Sequence, residues 1–169
     1  MVVLPITGTV AYSIGGGAQG TVEVGAVLTL STPAGTLLLR NPYADELISF
    51  LHLWVRASAP LTPSAPAVGL VTVFQELREL VSVRTQDLPP TQPNLPLIVS
   101  LGRFMGRQEA VYNLTQKGNQ VVAFVLAGAF KLESRLLHEK DSLALWEVET
   151  IELEALSNHA IVLLLELLP

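Results

Sequence analysis

Residues 21–30 read Thr-Val-Glu-Val-Gly-Ala-Val-Leu-Thr-Leu, and this stretch decides the predicted fold class. Apolar side chains occupy every second position from Val22 to Leu30, while Glu23, Gly25 and Thr29 fall on the opposite face. A period of two with β-branched residues is typical of a half-buried strand, because successive side chains of a strand point to opposite faces. We therefore predict one strand over residues 21–30.

The same alternation recurs along the whole chain in short runs bounded by Gly, Pro, Asn and Ser. It predicts further strands over residues 9–14, 35–40, 47–55, 68–74, 97–101, 110–114, 120–127 and 160–168. The runs over residues 120–126 and 160–165 have apolar side chains on both faces, which predicts central or interface strands. Residues 74–81 have helical spacing and predict a short helix, whereas residues 143–156 fit either a helix or a strand with a bulge near Thr150.

The connections between these runs favour a β-sandwich. Residues 58–66 and 86–96 are rich in proline, which lacks the ladder N–H and so excludes both segments from inner strands. Neither an internal repeat nor a domain linker is evident. We predict an all-β fold, a single jelly-roll β-sandwich or barrel over residues 1–169, with one or two short helices.

Composition excludes several classes of protein. Half of the 169 residues are apolar and only 15% are charged, which rules out intrinsic disorder. Ten basic against fifteen acidic residues argue against nucleic-acid binding. The chain has no cysteine, so disulfides, thiolate metal sites and a cysteine nucleophile are excluded. Breakers interrupt every apolar stretch, and no base precedes the apolar start, so we expect no transmembrane segment and no signal peptide.

The glycine-rich segment from Gly15 to Gly20 matches the dinucleotide fingerprint G-x-G-x-x-G. That motif binds pyrophosphate only where a strand enters a helix. Here the following residues alternate like a strand, so the segment predicts a hairpin loop.

Other catalytic motifs are missing. His52, His138 and His159 are isolated, without the spacing of metal ligands, and no G-x-S-x-G occurs. The densest acidic cluster, from Glu147 to Glu154, is typical of a solvated strand surface. We predict no catalytic residue, no metal, no cofactor and no enzymatic activity.

Charge is distributed unevenly. Residues 1–39 contain a single charged side chain, Glu23. A large uncharged surface on a protein usually marks an interface, so we expect neighbouring chains to cover this part, as a homodimer or a higher oligomer. The candidate interface residues are Tyr12, Gly15, Gly16, Gly17, Tyr43 and Trp54.

Residues 37–56, Leu-Leu-Leu-Arg-Asn-Pro-Tyr-Ala-Asp-Glu-Leu-Ile-Ser-Phe-Leu-His-Leu-Trp-Val-Arg, have the pattern of a strand, an Asn-Pro turn and a long strand. With the chain length and the proline-rich loops, this pattern resembles the small major capsid protein of tailless, internal-membrane icosahedral phages of thermophilic bacteria. The resemblance implies a single upright jelly-roll barrel in the virion shell. It also implies assembly with a second, larger capsid protein close to an internal lipid membrane, with dimers as building units.

Two rival hypotheses stay open. The first is a ligand-binding β-sandwich module of carbohydrate-binding type, with exposed aromatic residues such as Trp54 and Trp146 on one face. The second is a small β-barrel enzyme of cupin type, and the absence of a His-x-His motif argues against it.

Overall fold

The computed structural model describes residues 1–15, 17–30, 36–54, 68–72, 81–84 and 97–168, and this part of the chain is all-β. Its strands are β1 (Val2–Thr7), β2 (Val10–Ile14), β3 (Gln19–Val22), β4 (Ala26–Leu30), β5 (Leu37–Arg40), β6 (Ser49–Leu53), β7 (Val68–Thr72), β8 (Val81–Arg84), β9 (Leu97–Phe104), β10 (Glu109–Asn113), β11 (Gln120–Ala127), β12 (Ala129–Leu132), β13 (Arg135–His138), β14 (Ser142–Leu145), β15 (Thr150–Ala155) and β16 (Ala160–Leu167).

The prediction of all-β structure is confirmed, but the expected short helices are not found among these residues. Residues 143–156 form β14 and β15 rather than a helix. The helix predicted over residues 74–81 falls mostly outside the described residues, and its last residue begins strand β8. Over the same described ranges, no helix has the length and apolarity needed to cross a membrane.

The chain divides into two compact units, of which the first comprises β1 to β7 and the second β8 to β16. Each unit is built from two antiparallel sheets. The single domain over residues 1–169 stays a prediction.

The first unit combines a four-stranded sheet, β6-β1-β4-β7, with a three-stranded sheet, β3-β2-β5. Inward-facing side chains of both sheets form one core, because alternate residues along each strand share a face. The buried members of this core are Met1, Val3, Val10, Ile14, Val22, Ala26, Leu28 and Leu30.

The predicted strand over residues 21–30 is in fact two strands of different sheets, so this prediction is wrong in its extent. Gly25 has a φ of 93°, and the Ala26 amide donates a hydrogen bond to the Glu23 carbonyl at 3.0 Å, which closes a turn between β3 and β4. The turn exposes 52% of Val24, which the alternation had placed on the buried face. Alternation continues through this turn in the sequence, although the chain there changes sheet.

The second unit combines a five-stranded sheet, β14-β11-β16-β9-β8, with a four-stranded sheet, β10-β15-β12-β13. Its core contains Phe104 and Phe130 packed edge to face, with ring centroids 5.8 Å apart. Aliphatic side chains from both sheets fill the rest of this interior.

Several strands are buried on both faces, which explains the apolar composition. All five residues of β4 are buried, as are seven of the eight residues of β9. Apolar side chains on both faces of an antiparallel sheet replace the usual polar face. Strands buried on both faces therefore account for part of the shortage of charge.

Candidate functional site

A groove of about 570 Å³ lies on the first unit's three-stranded sheet. This volume is within the range of small-molecule sites, about 300–1,000 Å³. The lining residues come from all three strands and from the segment after β5; they are Ala11, Tyr12, Ser13, Gln19, Gly20, Thr21, Arg40, Asn41 and Pro42.

Strand register explains the shape of this groove. Ala11 of β2 pairs with Thr21 of β3 on one side and with Arg40 of β5 on the other. Directly paired residues of antiparallel strands share a face, so the short Ala11 side chain lies between two longer ones. That row forms a trough, and the next row places Ser13 beside Gln19 on the same face.

Four polar side chains of this groove, those of Ser13, Gln19, Thr21 and Arg40, are without partners among the residues that the structure describes. Among the residues that the structure describes, no hydrogen bond joins the side chains of Ser13, Gln19 or Thr21 to another protein group. In the same part of the chain, the Arg40 guanidinium has no carboxylate within 4 Å. Two hydroxyls, an amide and a guanidinium are therefore available to a ligand.

Hydrogen bonds fix the segment after Arg40, which forms one wall of the groove. The Tyr43 amide donates to the Asn41 side-chain oxygen at 2.9 Å, and the Asn41 side-chain amide donates to the Glu46 carbonyl at 2.6 Å. The Tyr43 hydroxyl donates to Thr9 Oγ1 at 2.8 Å. A turn in which Asn bonds to the backbone two residues on is a common stable connection, so this wall is preformed.

Gly20 allows the base of the groove to pack closely. A Cβ atom at Gly20 would lie 2.9 Å from the Tyr12 hydroxyl oxygen and 3.1 Å from two of its ring carbons. Tyr12 itself packs against the core of the first unit. A larger residue at position 20 would therefore displace the Tyr12 ring.

A second groove of about 260 Å³ lies on the outer face of the sheet β10-β15-β12-β13. Four glutamates line it, with one lysine, Lys131, among them; the glutamates are Glu109, Glu133, Glu152 and Glu154. Glu152 and Glu154 alternate along β15 with buried Ile151 and Leu153, as expected for an acidic strand surface. Nothing about this groove indicates a ligand.

The histidines lie at separate places. His52 of β6 has a ring contact with Phe50 at 6.2 Å between centroids. The Nδ1 atom of His159 lies 3.0 Å from Arg103 Nη2, and His138 is exposed at the end of β13. Across the described ranges, no group of three His, Cys, Asp or Glu residues could hold a metal ion.

Of the five predicted interface residues that the structure describes, only Tyr12 lines the larger groove. Gly15 and Gly17 lie exposed in the hairpin that joins β2 to β3, so the predicted hairpin is confirmed and no helix follows the glycine-rich segment. Gly16 lies outside the described residues. Tyr43 is 38% exposed and Trp54 is 69% exposed. A role for these residues at an interface stays a prediction.

No sequence motif indicates the residues that line the groove, and the sequence analysis did not predict them. The one available signal was Arg40, which is the first basic residue of the chain. The trough depends on which strands are neighbours, and alternation does not give that order.

The arrangement of two packed sheets in each unit is an all-β sandwich fold, and comparison with known proteins shows which folds it resembles. Residues 97–167, all within the second unit, match the family described as the quercetinase C-terminal cupin domain. No curated protein sequence is significantly similar to the chain.

Solved structures resemble the whole chain. YhhW from Escherichia coli superposes with a TM-score of 0.85 at 19% identity, over 99% of this chain and 71% of that one. The nickel(II) complex of the bacterial pirin YhhW superposes with a TM-score of 0.83 at 18% identity, over 99% and 72%. A quercetin 2,3-dioxygenase from Acinetobacter baumannii gives 0.75 at 19% identity, over 99% and 64%. The chain therefore has the pirin/quercetinase-like cupin fold.

These findings correct the capsid hypothesis. The family match and the structural neighbours are cupins, so the resemblance to a phage capsid protein is wrong. The expected capsid partners, virion location and nearby lipid membrane are wrong with it. The exclusion of an enzyme rested on missing motifs, and the likeness to quercetinase cupins overturns that exclusion.

The nickel(II) complex of YhhW raises the possibility of a metal in this fold, and such a metal requires suitable ligand residues in this chain. Metal ions in proteins of this kind need three or four His, Cys or carboxylate ligands. The chain has no cysteine and only three histidines, of which His52 alone precedes residue 138. The first unit therefore cannot supply two histidines to one ion, and the residues present do not fit a histidine-held metal.

Proposed function

We propose that this protein is a ligand-binding cupin that takes a small polar molecule into the groove over Ala11, without a histidine-held metal. The observation that carries the proposal is the group of unpartnered side chains from Ser13, Gln19, Thr21 and Arg40 around one trough. Unpartnered polar groups that converge in a concave site are the usual basis of small-molecule recognition.

The shape of the site supports this proposal. The trough exists because the short side chain of Ala11 lies between those of Thr21 and Arg40. Neighbouring strands are about 4.8 Å apart, so the backbones of Thr21 and Arg40 are separated by about 10 Å. A ligand as wide as a single ring fits between them. Side chains on strands of a rigid sheet hold their positions better than those on loops, so binding needs little reordering.

The test is to block the trough. The Ala11→Phe variant places a ring where the ligand would lie, whereas Val111→Phe makes a matched change at an exposed residue on β10 of the second unit. With ¹⁵N-labelled protein and a library of small sugars, amides, carboxylates and phosphates, we expect amide shifts at Ala11 and Thr21 in the unmodified protein. Ala11→Phe should abolish them and Val111→Phe should leave them unchanged. A library without any compound that shifts these amides would contradict the proposal.

Metal content is tested separately. We expect protein expressed with added nickel, iron, manganese, copper and zinc to retain less than about 0.1 metal ion per chain after gel filtration, because the ligand set is missing. Chelation should leave the unfolding temperature unchanged. Stoichiometric metal that survives gel filtration would show that other residues of the chain form a metal site.

A further inference from the structure

We infer that the groove over Ala11 selects an anionic ligand, a small molecule with a carboxylate or phosphate group, and that Arg40 binds this group. The inference rests on the proposed function and specifies the ligand class of the same site. It is carried by the charge of the groove and by the chemistry of the side chains around Arg40.

Arg40 supplies the positive charge of the groove. It is the only Lys or Arg side chain among the described residues of the first unit. The described residues that line the groove include no Asp or Glu, so their formal charge is +1 in a protein of −5. The groove on the second unit has the opposite charge, because four glutamates and one lysine line it.

The neighbouring groups complete a site for an anion. A guanidinium presents a planar fork that matches the two oxygens of a carboxylate or phosphate. Across the Ala11 trough, the Thr21 hydroxyl can donate a further hydrogen bond, and the Ser13 hydroxyl and Gln19 amide lie in the next row. Each of these groups can donate a hydrogen bond, and none carries a negative charge that would repel the ligand.

The Arg40 side chain has no ion-pair partner in the part of the chain that the structure describes, and this strengthens the inference. Arginines on a protein surface commonly find a carboxylate, and such pairs stabilise the fold only slightly. Here the Arg40 guanidinium lines the groove, and the fixed Asn41 turn follows it directly. An anion that binds Arg40 would therefore not have to displace an internal ion pair.

The experiment compares charged and neutral probes of the same shape. Benzoate and benzamide differ mainly in charge, and phenyl phosphate and inorganic phosphate distinguish a phosphate from a carboxylate preference. Each is titrated at constant ionic strength, with the amides of Ala11, Thr21 and Arg40 as reporters. We expect benzoate or phenyl phosphate to bind at least about ten-fold more tightly than benzamide, because a charged hydrogen bond contributes more than a neutral one.

Variants assign the effect to Arg40. Arg40→Gln should weaken anion binding about ten-fold or more and leave benzamide binding unchanged, while Arg40→Lys should retain part of the affinity. Arg135→Gln, at an exposed arginine on β13, is the matched control and should bind like the unmodified protein. Lysine keeps the charge but loses the fork, so its intermediate affinity would separate charge from geometry.

The outcomes separate the two proposals. If benzamide binds over Ala11 as tightly as benzoate, or if Arg40→Gln binds anions normally, the anionic ligand class is wrong and the ligand-binding function stands. If no probe shifts the groove amides, both are overturned. A preference for one anion that Arg40→Gln abolishes would support both and identify the carboxylate or the phosphate.

Discussion

Glu166 is a carboxylate with no exposed surface, and neutral groups hold it. The Tyr112 hydroxyl donates to Oε2 at 2.7 Å, while the Thr115 amide and hydroxyl donate to Oε1 at 2.8 and 2.6 Å. The side-chain amide of buried Asn119 donates to the same oxygen. Burial by itself would raise the pKa of Glu166, but the hydrogen bonds from Thr115, Asn119 and Tyr112 outweigh it and hold the pKa below its ordinary value.

This lowered pKa predicts how stability depends on pH. A carboxyl group whose pKa is lower in the folded state contributes stability above its unfolded pKa and loses it as the pH falls through the folded value. We therefore expect the free energy of unfolding of the unmodified protein, relative to Glu166→Gln, to decrease as the pH falls below the ordinary glutamate value of 4.5. Urea unfolding of both proteins across this range measures it.

Two results bear on that prediction. A stability difference that grows as the pH falls would mean that Glu166 is held protonated in the fold. If Glu166→Gln does not fold, Thr115→Val tests the same point, since it removes one donor and should shift the loss of stability to higher pH. Exposed Thr150→Val is its control and should change stability by less than about 0.5 kcal/mol.

At the scale of the elements, Gly128 is the corner where the chain passes from β11 to β12 and so changes sheet. Its φ is 76°, and a Cβ atom there would collide with Ser157 Oγ and lie 3.0 Å from the Ala160 Cβ. Ser157 Oγ accepts the Ala129 amide at 3.0 Å, so the collision would also disturb the start of β12. Position 128 therefore requires glycine for both conformation and space.

Gly118 needs glycine for its conformation but not for space, so it allows the two effects to be measured separately. It has a φ of 93°, but a Cβ atom there would meet nothing within 4 Å. We expect Gly118→Ala to cost about 1–2 kcal/mol from the backbone alone, and Gly128→Ala to cost about 1–3 kcal/mol more from the collision. Denaturant unfolding measures both, and equal losses would contradict the role assigned to Ser157 and Ala160.

Other elements show why some strands were not predicted. Pro5 interrupts the alternation of β1, and the ladder with β6 is shifted between Pro5 and Thr7. The β12–β13 hairpin turns at Glu133 and Ser134, with φ of 46° and 63°, without the glycine or asparagine that usually marks such a turn. These three strands, β1, β12 and β13, were not predicted because tertiary packing supports a proline within a strand and a turn without glycine.

At the scale of the whole molecule, the two units raise the question of cooperativity. Each comprises about half of the chain, and a β unit of that size buries a smaller fraction of its surface than a 169-residue domain. We therefore expect one unfolding transition for both units, with a heat-capacity change of about 2.0–2.5 kcal/mol/K for the complete chain.

Scanning calorimetry measures this directly. A calorimetric enthalpy equal to the van't Hoff enthalpy would support the single domain over residues 1–169. Two resolved transitions, each with about half of that heat-capacity change, would contradict it.

The sequence by itself determined the all-β class, the hairpin at the glycine-rich segment and the absence of a His-x-His motif. These depend on composition and on a period of two, which are local properties. The missing His-x-His was correctly observed, but it bears on metal binding and says nothing about fold, so rejecting a cupin on that ground was an error. Only the tertiary structure decided that Arg40, Ala11 and Thr21 form one row, because strand order and register arise from contacts between residues distant in the chain.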